Sequence, residues 1–355
     1  MKILHSADWH LDAPIVGWSP EQTAFLRQKL LEIPGKLADL CRRENCDLVL
    51  LAGDLFDGAY TKESFRAVYA ALAQMAVPVF IAPGNHDFCH PGSPYMAEIW
   101  PENVHIFTQP TVESVAVPGL DCRIYGAGYR SMDCPGLLEN FRAQGDESLH
   151  IAVLHGDPTQ KNSDYCPITE AQVRRSGLDY LALGHIHKAG QFRSSGTVCG
   201  WPGCTMGKGY DELEEKGAYI VTTDGGVRLQ FMALDTPRFH DWSVSAGHDA
   251  LASLNAVLPP MESRDFYRIT LTGESAGVDT DALYAALSRF PNLELRDRTV
   301  PETDIWGNAG EDTLEGLYFG LLKQQLEGAD EQTARELTLA ARISRQILDN
   351  QEVAL

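Results

Sequence analysis

The chain has 355 residues, 44% of them hydrophobic and 22% charged, with a formal net charge of −20. That length and balance suit one large folded domain with a smaller appendage, and exclude a disordered or low-complexity chain. The charge excludes a generic nucleic-acid binder, whose affinity rests on neutralising phosphates with a basic surface.

Residues 236–355 alone carry ten Lys/Arg against twenty Asp/Glu. A polyanionic substrate would therefore need metal ions, a local patch or a partner to hold it. No apolar segment has the length needed to cross a bilayer. The N-terminal "MKILHSADWH" meets a histidine and an aspartate too early for a secretory signal, so a cytoplasmic protein with no membrane partner is expected. The eight cysteines include no C-x-x-C pair and two C-x4-C spacings, Cys41/Cys46 and Cys199/Cys204. Scattered, reduced thiols are the expectation.

The first half alternates apolar runs with amphipathic stretches. "KILHSA" leads into Asp8 and His10, and a helix is predicted over 21–44 with Pro34 as a break. "DLVLLAG" leads into Asp54, followed by a helix over 62–76. "VPVFIAPG" ends on Asn85 and His86, and "HIAVL" on His155. A helix over 168–176 then precedes "YLALG", which ends on His185 and His187. Alternating strands and helices predict an α/β layered fold. In such sheets ligands gather outside the carboxyl ends of the strands, where these residues fall five times.

Short β-like runs and glycine turns over 196–234 predict a second, mainly antiparallel sheet closing a domain of residues 1–235. "TPRFHDW", from Thr236, marks the boundary. "DFYRITLTG", "DTDALYAALSRF" and "NLELRDRTV" read as strand, helix and strand of a small α+β unit over 236–305. The remainder, 306–355, is predicted to be helical. Leu314, Leu317, Tyr318, Leu321 and Leu322 recur at helical spacing, Gly328 punctuates, and Ala334, Leu337, Ala341 and Ile347 or Leu348 continue.

Asp8, His10, Asp54, Asn85, His155, His185 and His187 offer four imidazoles, two carboxylates and one amide oxygen. Residues i and i+2 of extended chain share a face, so His185 and His187 would stand side by side. The set lacks a thiolate, which disfavours a closed structural zinc site. Mixed N and O donors suit Mn²⁺, Fe²⁺ or Zn²⁺ at open positions. Seven such residues are too many for one ion and natural for two. A metal pair can generate a hydroxide and neutralise a phosphoryl group during in-line displacement.

"SADWH" (6–10), "GDLFD" (53–57), "GNHD" (84–87), "LHG" (154–156) and "GHIH" (184–187) together resemble the five signature motifs of the calcineurin-like metallophosphoesterases. Within that superfamily "DWHLD", "LLAGDLFD" and "IAPGNHDF" resemble the bacterial SbcD-type DNA-repair nucleases. "YCPITEAQVRRSGLDYLALGHIHKAG", "WPG" and "DELEEKGAYIV" resemble the YhaO-type exonuclease branch. The resemblance implies a layered β-sandwich flanked by helices, with a small α+β cap and C-terminal helices. It implies that Asp8, His10, Asp54 and His187 hold one metal and Asp54, Asn85, His155 and His185 the other, with Asp54 bridging.

By the same resemblance His86 contacts the scissile phosphate and protonates the leaving oxygen. Asp57 either orients His86, as an aspartate does in the phosphatase branches, or is a plain hydrogen bonder. Cys89 and His90 read as loop residues, and His5 as packed or hydrogen-bonded within its strand. Lys188, Arg193 and Lys208 read as solvated surface charges.

The resemblance implies an Mn²⁺-dependent DNA exonuclease that works with an SMC-like, SbcC-type ATPase bound through the C-terminal helices, and relatives that dimerise through their catalytic domains. The acidic surface keeps open a phosphoesterase acting on a small ester or cyclic nucleotide. A scaffold that has lost catalysis is disfavoured, because every ligand position and His86 are present.

Overall fold

The computed structural model describes residues 1–302 and 304–349. These residues divide into two compact units, Met1–Asp241 with Arg264–Tyr267, and Trp242–Ser263 with the described residues from Arg268 onward.

The first unit is built on two six-stranded sheets. One runs in the order Arg228–Ala233, Gly217–Thr222, Lys2–Ser6, Leu48–Leu51, Val79–Ile81, Val104–Ile106; the other runs Glu113–Val117, Cys122–Gly126, Leu149–His155, Tyr180–Gly184, Thr197–Trp201, Gly190–Ser194. The central strands of both are parallel. Such strands must be covered on both faces, and their side chains obey the period of two. Ile3, Leu48, Leu50 and Phe80 point into a core shared with Ile151, Val153, Tyr180 and Ala182 of the other sheet. Leu4, Val49 and Leu51 point the opposite way, onto Leu26 and Leu30 of helix Pro20–Glu44 and Val68 and Leu72 of helix Lys62–Met75. Leu154, Leu181 and Leu183 pack outward on Val173 of helix Glu170–Ser176. The result is the layered α/β sandwich the sequence predicts.

Two local expectations are corrected. Pro34 does not break its helix, which runs unbroken from a Ser19 capping box to Asn45 in the left-handed conformation. Ile33, Pro34, Leu37 and Ala38 are all buried there, and that apolar contact outweighs the ~3 kcal/mol an interior proline costs. Residues 196–234 do not make a sheet of their own. Thr197–Trp201 pairs parallel to Tyr180–Gly184, while the hairpin Gly217–Thr222/Arg228–Ala233 adds antiparallel to Lys2–Ser6 of the other sheet. Antiparallel edges on parallel sheets are common, and hairpin spacing alone does not reveal which sheet will receive it.

Helices Ala250–Val257 and Thr280–Ala286 lie in the second unit, and strands Phe239–Ser245, Phe266–Thr272 and Leu293–Asp297 pair in one sheet. Helices Leu314–Leu326 and Glu331–Leu348 follow and pack on each other. Phe319 is fully buried, with the Arg345 guanidinium 4.2 Å above its ring and paired to Glu315. The apolar stripe read from the sequence faces solvent instead: Leu314 is 88%, Leu317 57% and Leu321 61% exposed. Among the described residues, no helix is long and apolar enough to cross a membrane.

Candidate metal centre

The site grows from the carboxyl ends of four parallel strands and the loop after a fifth. Asp8, His10, Asp54 and His185 all carry positive φ, between 48° and 91°. Each such non-glycine residue stores on the order of 1–3 kcal/mol, and such strain is concentrated where geometry serves function. It turns the chain sharply off three of those strands, so that their side chains converge on the residues from the other two. Two motif glycines make the convergence possible. A Cβ on Gly84 would collide with the Asp54 carboxylate, and one on Gly184 with the Ala52 carbonyl.

The seven sequence-derived candidates come together. Nε2 of His10 lies 3.0 Å from Nε2 of His187. Two imidazole nitrogens facing each other at that separation could both give their lone pairs to one ion. The ligand-type atoms of Asp8, His10 and His187 fall within 4.8 Å of one another, as do those of Asp8, Asp54 and His155. Asp54 Oδ2 is 3.8 Å from His10 Nε2 and 3.3 Å from His155 Nε2, so it faces both groups. His155 Nε2 lies 2.8 Å from Asn85 Oδ1, and its ring is 5.2 Å from that of His185. The His185 backbone N–H donates to both oxygens of Asp8 at 3.0 and 3.1 Å.

The electrostatics fit a cation. Burial opposes charge on His155, yet Asp54 and Asp8 hold its pKa up to about 9. Burial likewise opposes ionisation of Asp54, but the charges of His155, His10 and His86 keep its carboxyl below the usual range. Two buried carboxylates, Asp8 and Asp54, give the pocket a negative potential, which favours a dication. Burial and the nearby His155 push His185 down to about 4, leaving a neutral imidazole with a lone pair to give.

His86 stands at the rim, its side chain 40% exposed, with Nδ1 2.8 Å from Asp57 Oδ1. That hydrogen bond raises its pKa against a desolvation that would lower it. Asp57 also approaches His10, Oδ2 lying 3.5 Å from Nδ1, and the proximity of His10 and His86 depresses its carboxyl far below the usual range. Asp57 thus meets two imidazoles at once, a contact the sequence does not announce.

Two buried carboxylates that brace the site, Asp87 and Glu212, lie outside the set that the sequence singles out. Asp87 accepts from the backbone N–H groups of Asp54, Leu55, Phe56 and Gly84 at 2.7–3.2 Å, and from the Tyr95 hydroxyl at 2.5 Å. It ties the "GDLFD" and "GNHD" loops into one piece. The "GNHD" motif already contains it, and its short spacing from Asn85 is the available signal. Glu212 bonds His187 Nδ1 at 2.6 Å. The segment "DELEEKGAYIV" contains it, but no ligand-type spacing singles Glu212 out of the acidic run "DELEE". Burial disfavours its charge, but His187 and Lys208 hold its carboxyl down to about 2. Cys204 lies beside it, its Sγ donating to Glu212 Oε1 at 3.6 Å, and burial pushes that thiol up to about 12. His5 is wholly buried and bonded to the Tyr180 hydroxyl at 2.6 Å and the Leu183 carbonyl at 3.0 Å. Cys89 is buried too, while Lys188 pairs at the surface with Glu214.

A layered α/β fold with clustered ligand-type residues at its strand ends is the architecture of a phosphoesterase, and comparison with known proteins names the family. Residues 1–189 match the family described as calcineurin-like phosphoesterase, and the chain belongs to that family. It is 34% identical over 269 residues to the uncharacterized metallophosphoesterase YhaO of Bacillus subtilis, a match covering 69% of this chain and 62% of that one. It is 38% identical over 95 residues to the SbcD component of the nuclease SbcCD of Rhodobacter capsulatus, covering 24% of this chain and 22% of that one. The matches therefore span less than two thirds of either relative. A dimetal phosphatase from Danio rerio is similar at a TM-score of 0.38 and 13% identity, over 62% of this chain and 91% of that one.

Proposed function

We propose that the chain is a two-metal phosphodiesterase that hydrolyses DNA as an exonuclease of the SbcD/YhaO type, with Mn²⁺ as its metal. The observation that carries the reading is the convergence of Asp8, His10, Asp54, Asn85, His155, His185 and His187 beside a rim histidine bonded to a carboxylate. Asp8, His10 and His187 would hold one ion and Asn85, His155 and His185 the other, with Asp54 between them. Bound there, two divalent ions neutralise phosphoryl charge and lower the pKa of an attacking water.

The chain's own residues do the rest. Asp57 holds His86 through Nδ1 and stabilises its protonated form, leaving the Nε2 proton free at the exposed rim. His86 then delivers that proton to the leaving 3′-oxygen, which would otherwise depart as a strong base. Asp87 keeps the loops bearing Asp54 and His86 in register.

Partners belong to the same proposal. The stripe of Leu314, Leu317 and Leu321 is apolar and exposed, and an SMC-like, SbcC-type ATPase is the partner proposed for it. Homodimerisation through the catalytic domain is the proposed assembly. The −20 charge favours a second reading, a phosphoesterase for a small ester or cyclic nucleotide, which needs no basic track. Incubation with Mn²⁺ and either end-labelled duplex DNA or 2′,3′-cyclic AMP separates the two. Release of nucleotides from DNA ends, alone or with the ATPase, supports the nuclease; turnover of the cyclic nucleotide with DNA left intact under both conditions overturns it.

A further inference from the structure

The histidines of the site differ in what backs their second nitrogen. His155 Nδ1 faces the Ala52 carbonyl at 2.8 Å, a neutral acceptor. His10 Nδ1 has Asp57 at 3.5 Å, a carboxylate already engaged by His86. His187 Nδ1 has Glu212 at 2.6 Å. Glu212 is only 8% exposed, and its other oxygen accepts the Lys208 backbone N–H at 2.9 Å. The same stretch of chain grips the His187 backbone. The Cys204 N–H donates to the His187 carbonyl at 3.2 Å, and the Lys216 ammonium donates to it at 3.3 Å. Ring and backbone of His187 are therefore both fixed from residues 204–216.

We infer that Glu212 is a positioning residue for one of the two metals. It fixes the tautomer of His187 with the proton on Nδ1, turns the Nε2 lone pair toward His10 and Asp8, and makes that nitrogen a stronger donor. The physical basis is general: a carboxylate can only accept from the imidazole, so the far nitrogen must carry the lone pair, and partial negative charge on the ring raises its basicity. Because neither His155 nor Asn85 touches Glu212, the effect falls on the ion that His187 shares with His10 and Asp8. The inference rests on the reading of those three residues as ligands of one cation, and it does not depend on the substrate.

The test is Mn²⁺ binding to the full metal-stripped chain, followed by equilibrium dialysis and by the electron paramagnetic resonance of the coupled pair against the isolated ion. Glu212→Gln keeps the shape and removes the charge. Glu214→Gln, two residues on at the surface, is the control and leaves both binding steps as in wild type. In Glu212→Gln one binding step weakens about 10-fold or more while the other is unchanged, and the coupled signal gives way to that of an isolated ion at intermediate Mn²⁺.

Two unchanged steps, or an equal weakening of both, overturn the inference, the second because it marks a general loosening of the fold. Should Glu212→Gln not fold, Glu212→Asp keeps the buried charge but draws it back by one methylene, and the same criteria apply. A wild-type chain that binds no Mn²⁺ overturns the metal-centre reading itself and this inference with it. A chain that binds two ions but leaves DNA intact overturns only the nuclease.

Discussion

Asp57 meets two imidazoles with its two oxygens, His86 at 2.8 Å and His10 at 3.5 Å. The direction of the pH dependence follows. His86 has a raised pKa, so its acid form is fully present below the value of a free imidazole and is lost as pH rises through the raised one. Asp57→Asn removes the ionic partner, and the alkaline limb of kcat/KM on a DNA oligonucleotide moves to lower pH. An unmoved limb would show that His86 does not act as the acid. Asp87 offers a stability test, because four backbone N–H groups and a tyrosine hydroxyl converge on it. Asp87→Asn turns an amide toward those donors and destabilises by about 2–4 kcal/mol in urea unfolding. A loss below ~0.5 kcal/mol would mean the two loops are held by other contacts.

At the scale of elements, the helix Leu314–Leu326 separates packing from exposure. Phe319→Ala empties a fully buried site and is expected to cost roughly 3–5 kcal/mol, whereas Leu317→Ser, on the exposed stripe, changes stability by less than ~0.5 kcal/mol. The reverse order in thermal unfolding would place the stripe in a buried interface. This helix also shows where the sequence stops being informative. Spacing of Leu314, Leu317 and Leu321 fixes a helical period but not which face the neighbouring helix covers, and Phe319 takes that role with Arg345. The strands are far more legible. Each of the five that lead into the site is a largely apolar run with ligand-type residues at or just after its end, so those strands and the residues that follow them can be read from pattern. Glu212 cannot, because its role arises from a loop returning to the site 25 positions after His187. The sheet assignment of Gly217–Thr222 is equally non-local, set by its pairing with Lys2–Ser6.

For the whole molecule, the −20 charge governs how a polyanion is met. Without divalent ions the chain should bind duplex DNA too weakly to register at micromolar concentrations near physiological salt. Binding should appear with Mn²⁺ and strengthen with the ATPase partner proposed above, as fluorescence anisotropy would show. Tight metal-free binding would reveal a basic patch that the net charge conceals.

The central claim, that a cation cluster and a separate proton donor together break DNA phosphodiesters, is tested most directly through the leaving group. Wild type and His86→Ala are compared on labelled DNA and on bis-p-nitrophenyl phosphate, with bound Mn²⁺ measured in both proteins. The account predicts that His86→Ala retains its metal and loses about 10²-fold or more on DNA. It predicts a much smaller loss on the nitrophenyl ester, whose leaving group departs without a proton. Equal losses on the two substrates with metal retained, or DNA cleavage untouched by the substitution, would contradict it.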